Sequence, residues 1–232
     1  MNQRLQIIFP GKLIFGNGSL AQLADEILQL KPAKVFIATI IPLKEAITTF
    51  TTTLKNNNVE ILLDTSIVQE PSFADFEKLM QTVTPFNPDI VIGIGGGSVL
   101  DVANLVAAQL DNPQQLRDYV GIGLLQGRRK KLICVPATSG TGSEVSPNAI
   151  LVDDENQKKG IISPFLVPDI VYVDPLLTVS VPPAITAATG LDALTHCLEA
   201  YTNKFAQPFI DMYAYEGMRL IAAHIETAVK DG

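Results

Sequence analysis

The run Asp89–Ala103, DIVIGIGGGSVLDVA, constrains the fold of this chain more than any other stretch. Asp89 to Ile94 is short, apolar and β-branched, with Pro88 before it and glycines behind. A run that is apolar on both faces is expected to form a strand buried in a parallel sheet. Gly95, Gly96 and Gly97 then carry no side chains, so the backbone can turn tightly and bring its N–H groups close to a bound group. Ser98 and Asp101 have the spacing of a helix capping box, and Leu100, Ala103 and Val106 to Ala108 give that helix an apolar face. Strand, glycine turn and helix start together make a phosphate cradle, with unpaired N–H groups and the positive end of the helix dipole aimed at one spot. The pattern is GGGSxxD and differs from the GxGxxG dinucleotide fingerprint. A turn that only packs helix on sheet is the alternative for this segment alone.

The flanking sequence repeats the same unit. Gln6–Phe9 and Lys12–Phe15, separated by Pro10 and Gly11, are expected to open the chain as a β-hairpin. Ser19 is expected to cap a helix with Leu20, Leu23, Ile27 and Leu30 on one face, and Lys34 to Thr39 to form a buried strand. A helix from about Leu43 to Lys55, a strand from Val59 to Leu63 and a helix capped by Ser72 and Asp75, running to about Val83, follow. Alternating strands and helices predict an α/β class: an open, Rossmann-like parallel sheet whose ligands bind outside the carboxyl ends of the strands. After a loop over residues 111–126, strands are expected at Leu132–Pro136, Ala149–Val152 and Ile170–Val173. Beyond Pro182 and Pro183 the sequence reads helical to its end. The boundary is placed near Val181, giving an α/β domain over 1–181 and a helical part over 182–232.

With a net charge of −7, the chain is a poor partner for nucleic acid or an anionic membrane. Its one basic run, Arg128–Lys131, is expected to be a solvated loop. No apolar stretch is long enough to span a bilayer, and the amino terminus does not resemble a signal peptide. Cys134 falls in a strand-like run and Cys197 in a helix-like one, so no disulfide framework is expected. A cytoplasmic location is the default expectation.

Two further stretches carry chemistry. PATSGTGSEVSPN, at 136–148, places Thr138, Ser139, Thr141 and Ser143 within six residues, a density of hydroxyls suited to phosphate, ribose or an amide. In GLDALTHCLEAY, at 190–201, Asp192 and His196 are four apart and share one helix face. A carboxylate and an imidazole so spaced can chelate a divalent cation, or can simply pair with each other. His224, the other of the two histidines, lies in an amphipathic stretch and is not expected to be a ligand.

Taken together, these motifs resemble the iron-containing alcohol dehydrogenase family. The resemblance rests on GGGSxxD at 95–101, PATSGTGSEVSPN at 136–148, VPDIVYVDPLLT at 167–178 and TGLDALTHCLEAY at 189–201, in that order along nearly the whole chain. It implies that Gly95, Gly96, Gly97 and Ser98 hold the pyrophosphate of NAD or NADP, with Asp101 of the same motif among the cofactor-binding residues. Thr138, Ser139, Thr141, Asn148 and Lys159 would line the ribose and nicotinamide side, and Asp192 and His196 would be two ligands of Fe²⁺ or Zn²⁺. The implied reaction is hydride transfer between the nicotinamide and a small alcohol or diol, or the reverse reduction of an aldehyde.

There are departures from the family pattern. Ile40 stands where many relatives carry an acidic residue that reads the adenosine ribose, Asn104 replaces a common lysine, and Ser139 replaces a threonine. The family also completes its metal site with two further histidines, downstream of the last residue here. The chain is therefore expected to represent the nucleotide domain plus the start of a truncated helical domain. Self-association into a homo-oligomer is expected from apolar helix surface left uncovered. A catalytically inactive nucleotide-binding fragment is the alternative function, and a non-redox relative akin to the dehydroquinate synthases is a third.

Overall fold

The computed structural model describes residues 6–231. It divides into two compact units: residues up to Pro136 together with Ser143–Asp174, and the short segment Ala137–Gly142 together with the chain from Pro175 onward.

The first unit is the α/β body. Its elements in order are β1 (Lys12–Phe15), α1 (Leu23–Gln29), β2 (Lys34–Ala38), α2 (Thr48–Asn56), β3 (Glu60–Asp64), α3 (Phe73–Phe86), β4 (Ile90–Gly95) and α4 (Gly97–Gln109). Then follow β5 (Gly121–Ile122), β6 (Lys131–Pro136), β7 (Asn148–Val152), β8 (Lys158–Ile162) and β9 (Ile170–Val173). Among the described residues a six-stranded sheet has the order β1-β9-β6-β4-β2-β3, every pair parallel, with Ile92 of β4 level with Ile37 of β2 and Ile133 of β6. The α/β, Rossmann-like expectation therefore holds. From β2 the chain turns outward to β3, whereas from β4 it turns the other way to β6, so the connections diverge at the carboxyl ends of β2 and β4. That divergence opens the crevice in which sheets of this kind bind ligands.

The core explains why α4, from Val99 to Ala108, is apolar on every side apart from Asp101 and Asn104. Val99 to Ala108 are all buried, because α4 packs on β4 and β6 on one side and on β7 on the other. Strand β7 belongs to a second sheet, β5-β8-β7, which the sequence reading lacked. Lys158–Ile162, with its two lysines and a glycine, gives little strand signal; it becomes a strand by pairing antiparallel with β7.

Other local expectations change for physical reasons. The opening hairpin does not form: residues 6–10 are not in a strand, and β1 pairs parallel with β9. Pro10 cannot donate to a ladder, and Gly11 lies so close to the Asp169 carbonyl that a Cβ there would approach it to 2.9 Å. Ser19 does not cap α1; it begins a 3₁₀ turn, Ser19–Gln22, and the carboxylate of Asp174 accepts the N–H groups of Gly18 and Leu20 at 2.9 and 3.0 Å. The helix expected from Leu43 starts only at Thr48, after a 3₁₀ turn at Ile41–Leu43 that contains Pro42. The capping box of α3 is present in both directions between Ser72 and Asp75. Arg128 is not solvated: its side chain is 11% exposed, and it pairs with Asp169 at 2.6 Å while donating to the carbonyls of Phe165 and Val167.

The second unit contains α5 (Pro183–Thr202) and α6 (Pro208–Asp231), packed together as a hairpin. The contact is close because of small residues: a Cβ on Gly217 would lie 2.6 Å from the Cys197 sulfur, and one on Gly190 would collide with Ile225. No helix of the described residues is long and apolar enough to cross a membrane.

Candidate functional site

Strand β4 delivers the glycine turn at its carboxyl end, where the connections diverge. Gly95 is buried, and a Cβ there would come within 2.9 Å of Val99, so the absence of a side chain lets α4 seat closely on the sheet. Gly96 is the N-cap, in extended conformation with φ −78° and ψ −179°. Its carbonyl accepts the N–H groups of Val99 and Leu100, at 3.0 and 3.1 Å. The N–H groups of Gly97 and Ser98, ahead of those, have no partner within the helix. No side chain caps this end and no acidic residue lies in its first turn. Gly96, Gly97 and Ser98 are half-buried. An uncapped helix start offering N–H donors is suited to an anion.

The capping box expected between Ser98 and Asp101 is not formed. With Gly96 as N-cap, Ser98 falls at the second helical position and Asp101 at the fifth, out of register for reciprocal capping. Asp101 instead faces β7. One carboxylate oxygen, Oδ2, accepts the N–H of Ile150 at 3.0 Å, Ser143 hydrogen-bonds to the same carboxylate, and Oδ1 is buried without a partner. Burial pushes its carboxyl up to about 6, against the lowering effect of those two bonds. One turn on, Asn104 accepts the Cys134 thiol proton through Oδ1 at 3.3 Å, while its Nδ2 has no partner. Burial holds the Cys134 thiol well above its ordinary range, with Glu144 adding to the effect.

Asn148 opens β7 and is exposed; Lys159 lies across from Leu151 on β8, paired with Asp153 at 3.1 Å and with Gln157 at 2.9 Å. A cavity of about 370 Å³ opens between the end of β3 and α3, lined by Phe36, Asp64, Ser66, Val68, Pro71 and Val102, among others. Sequence reasoning missed these lining residues. The usable signal was positional: Ser66, Val68 and Pro71 follow the carboxyl end of β3. Thr39, at the end of β2, is fully buried with its hydroxyl unpartnered, and Ile40 is half-exposed.

In the second unit, the segment carrying Thr138, Ser139 and Thr141 packs against α5. A Cβ on Gly140 would lie 2.8 Å from Cβ of Thr189, one turn before Asp192. Asp192 and His196 lie on one face of α5, with Oδ1 and Nε2 3.8 Å apart and both side chains about half exposed. An oxygen and a nitrogen donor on one helix face can chelate a divalent transition metal, or pair with each other. Among the described residues no cluster of three or more histidine, cysteine or acidic side chains surrounds them. His224 is exposed on α6.

The proposed nucleotide residues thus divide between the units: Gly95 to Ser98, Asp101, Asn148 and Lys159 in the first, Thr138, Ser139 and Thr141 in the second, with Asp192 and His196.

Comparison with known proteins gives the family. Residues 10–175 match the family model "Iron-containing alcohol dehydrogenase", and residues 186–232 match "Fe-containing alcohol dehydrogenase family, C-terminal". The chain is 37% identical to long-chain-alcohol dehydrogenase 1 of Geobacillus thermodenitrificans, over 98% of its own length and 58% of that protein. It is 33% identical to sulfoacetaldehyde reductase of Bilophila wadsworthia, over 95% of its length and 58% of that protein. Of solved structures, an iron-containing alcohol dehydrogenase from Thermococcus thioreducens superposes with a TM-score of 0.89 at 29% identity, covering 98% of this chain and 62% of the other. Sulfoacetaldehyde reductase from Bifidobacterium kashiwanohense, solved with NAD⁺, gives 0.87 at 25% identity, covering 99% and 62%. The chain thus spans about three-fifths of the length of the relatives it matches. With nearly its whole length matched by the two models in sequence order, this chain belongs to the iron-containing alcohol dehydrogenase family.

Proposed function

We propose that the chain binds NAD or NADP and a divalent metal, Fe²⁺ or Zn²⁺, and serves oxidation of a small alcohol or diol, or reduction of the matching aldehyde. The observation that carries the reading is the uncapped start of α4 at Gly96, Gly97 and Ser98, set at the divergence of the strand connections. In this reading those N–H groups hold the pyrophosphate, and the cavity between β3 and α3 takes the adenosine end. Thr138, Ser139, Thr141, Asn148 and Lys159 orient the ribose and nicotinamide. The half-buried setting of the turn limits the water that competes for its donors. Lys159 must leave Asp153 or act together with it, since the two are paired.

Asp192 and His196 would hold the metal, each contributing one donor. When bound, the metal supplies Lewis acidity for the alcohol oxygen and the nicotinamide supplies hydride chemistry. Two protein donors leave the remaining positions to water, substrate or other side chains, so affinity from this pair alone is modest. The domain division goes with these roles, a dinucleotide-binding part over 1–181 and a metal-binding helical part over 182–232.

Self-association belongs to the same reading. Helices α5 and α6 bury only Ala214 fully, while Leu191, Leu198, Phe209, Met212 and Tyr213 stay exposed. An apolar surface of that kind favours a homo-oligomer.

The test is titration of the chain with NADH and NADPH, followed by nicotinamide fluorescence, with and without Fe²⁺ or Zn²⁺. Micromolar binding of at least one nucleotide is expected, tightened by metal and weakened in H196A only when metal is present. Failure of both nucleotides to bind would overturn the reading. Binding that ignores metal, with no alcohol oxidation, would reduce it to an inactive nucleotide-binding chain.

A further inference from the structure

Strand β7 is the edge of the small sheet, and its outward N–H groups need partners from elsewhere. They find them in three places. The N–H of Asn148 donates to the Ser146 hydroxyl at 3.2 Å, that of Val152 to the Pro71 carbonyl at 3.0 Å, and that of Ile150, between them, to Asp101 at 3.0 Å. Only the middle bond reaches the helix that starts at the glycine turn. It is side chain to backbone and 49 positions apart in sequence. Ser143 hydrogen-bonds to the same carboxylate, so one side chain on α4 ties down both the start of the segment leading into β7 and the strand itself.

From this geometry we infer that Asp101, which the resemblance places among the cofactor-binding residues, acts instead as a positioning residue, a strut that fixes β7, and with it Asn148, relative to the glycine turn. The inference rests on the dinucleotide reading above, in which the turn holds the pyrophosphate and Asn148 serves the nicotinamide side. A ligand that spans both places feels the strut; one that uses only the turn does not. A separate consequence needs no ligand at all: without the acceptor, the Ile150 N–H loses its bond and β7 loosens locally.

The test compares D101L, which keeps bulk and removes the acceptor, with D101N, which keeps an acceptor oxygen. Measurements are made well below each variant's melting temperature, so that the folded chain is compared. D101L is expected to bind NADH about tenfold more weakly while binding ADP within about twofold of the parent, since small displacements of an aligned group are costly. D101N is expected to recover NADH affinity to within about threefold. Amide hydrogen exchange along Asn148–Val152 is expected to quicken in D101L and return towards the parent in D101N. Equal loss of NADH and ADP would overturn the strut in favour of general damage, as would unchanged exchange in β7. Undiminished NADH binding by D101L would overturn it too. Should the parent bind neither NADH, NADPH nor ADP, the nucleotide reading falls, and exchange along β7 still decides whether Asp101 holds the strand.

Discussion

A methyl group added at Gly95 would meet both Cβ and Cγ2 of Val99 at 2.9 Å, in a place where neither strand nor helix can yield. G95A is therefore expected to cost roughly 1–3 kcal/mol of unfolding free energy in urea titration, as overpacking of a tight core does. An unchanged midpoint would mean that the helix shifts freely. Asp101 gives a second prediction at this scale. Its carboxyl is raised from an ordinary value near 3.8 to about 6 by burial, so the folded chain holds this proton more tightly than the unfolded chain. The penalty for the buried charge is thus full above about pH 6 and is relieved as pH falls towards 4, by up to roughly 3 kcal/mol. D101N lacks this dependence. Its stability relative to the parent should be highest at pH 7.5 and fall by pH 4.5; a constant difference would show that the carboxylate is not destabilised in the fold. The residues themselves were only partly legible. The glycine turn and the Asp192–His196 spacing could be read because backbone freedom and helical period are local properties. The partner of Asp101 could not, because it lies on a strand of the second sheet.

At the scale of elements, two ways of starting a helix differ in how far they could be foreseen. Helix α3 carries its own cap, with Ser72 and Asp75 each serving the other's N–H, and its start could be read directly. The Ser72 hydroxyl, then its backbone N–H, hold the Asp75 carboxyl below its ordinary range. That contribution is present above the ordinary carboxylate pKa and is lost as pH falls through the lower folded value. D75A is expected to cost about 1 kcal/mol at neutral pH, the difference fading in acid below about pH 4, by thermal unfolding at a series of pH values. A difference that persisted into strong acid would deny the cap its charge. The 3₁₀ turn before α1 borrows its cap from Asp174, so Ser19 misled the reading. D174A should leave the N–H groups of Gly18 and buried Leu20 without their acceptor and destabilise by roughly 1–3 kcal/mol in the same assay, whereas S19A should have a far smaller effect. The missing β8 has the same origin: a strand made by its partner leaves no period in its own sequence.

For the whole molecule, the order of strands and helices was enough to foresee a parallel sheet, since both sides of β4 are apolar and each strand is followed by a helical run. The second sheet and the division of the hydroxyl-rich stretch between units were not foreseeable, because both depend on contacts remote in sequence. The exposed residues of α5 and α6 make a prediction about the chain as a body: light scattering should give a mass above 25.0 kDa, rising with concentration. A monodisperse monomer would mean that this surface is tolerated in water.

The parallel pairing of β1 with β9 bears on how the molecule comes into being. Among the described residues, β1 has no sheet neighbour but β9, near residue 170, and the Gly18–Asp174 bond beside it closes a loop of 156 positions. During translation, then, β1 waits as an unpaired segment while β2, β3, β4 and β6 can already associate. Closing so long a loop late, on a surface already formed, is the slow and exposed part of such an assembly. In pulse-labelled exchange during refolding, the amides of β1 should become protected together with those of β9 and after those of β4, so that a strand made before β4 is seated after it.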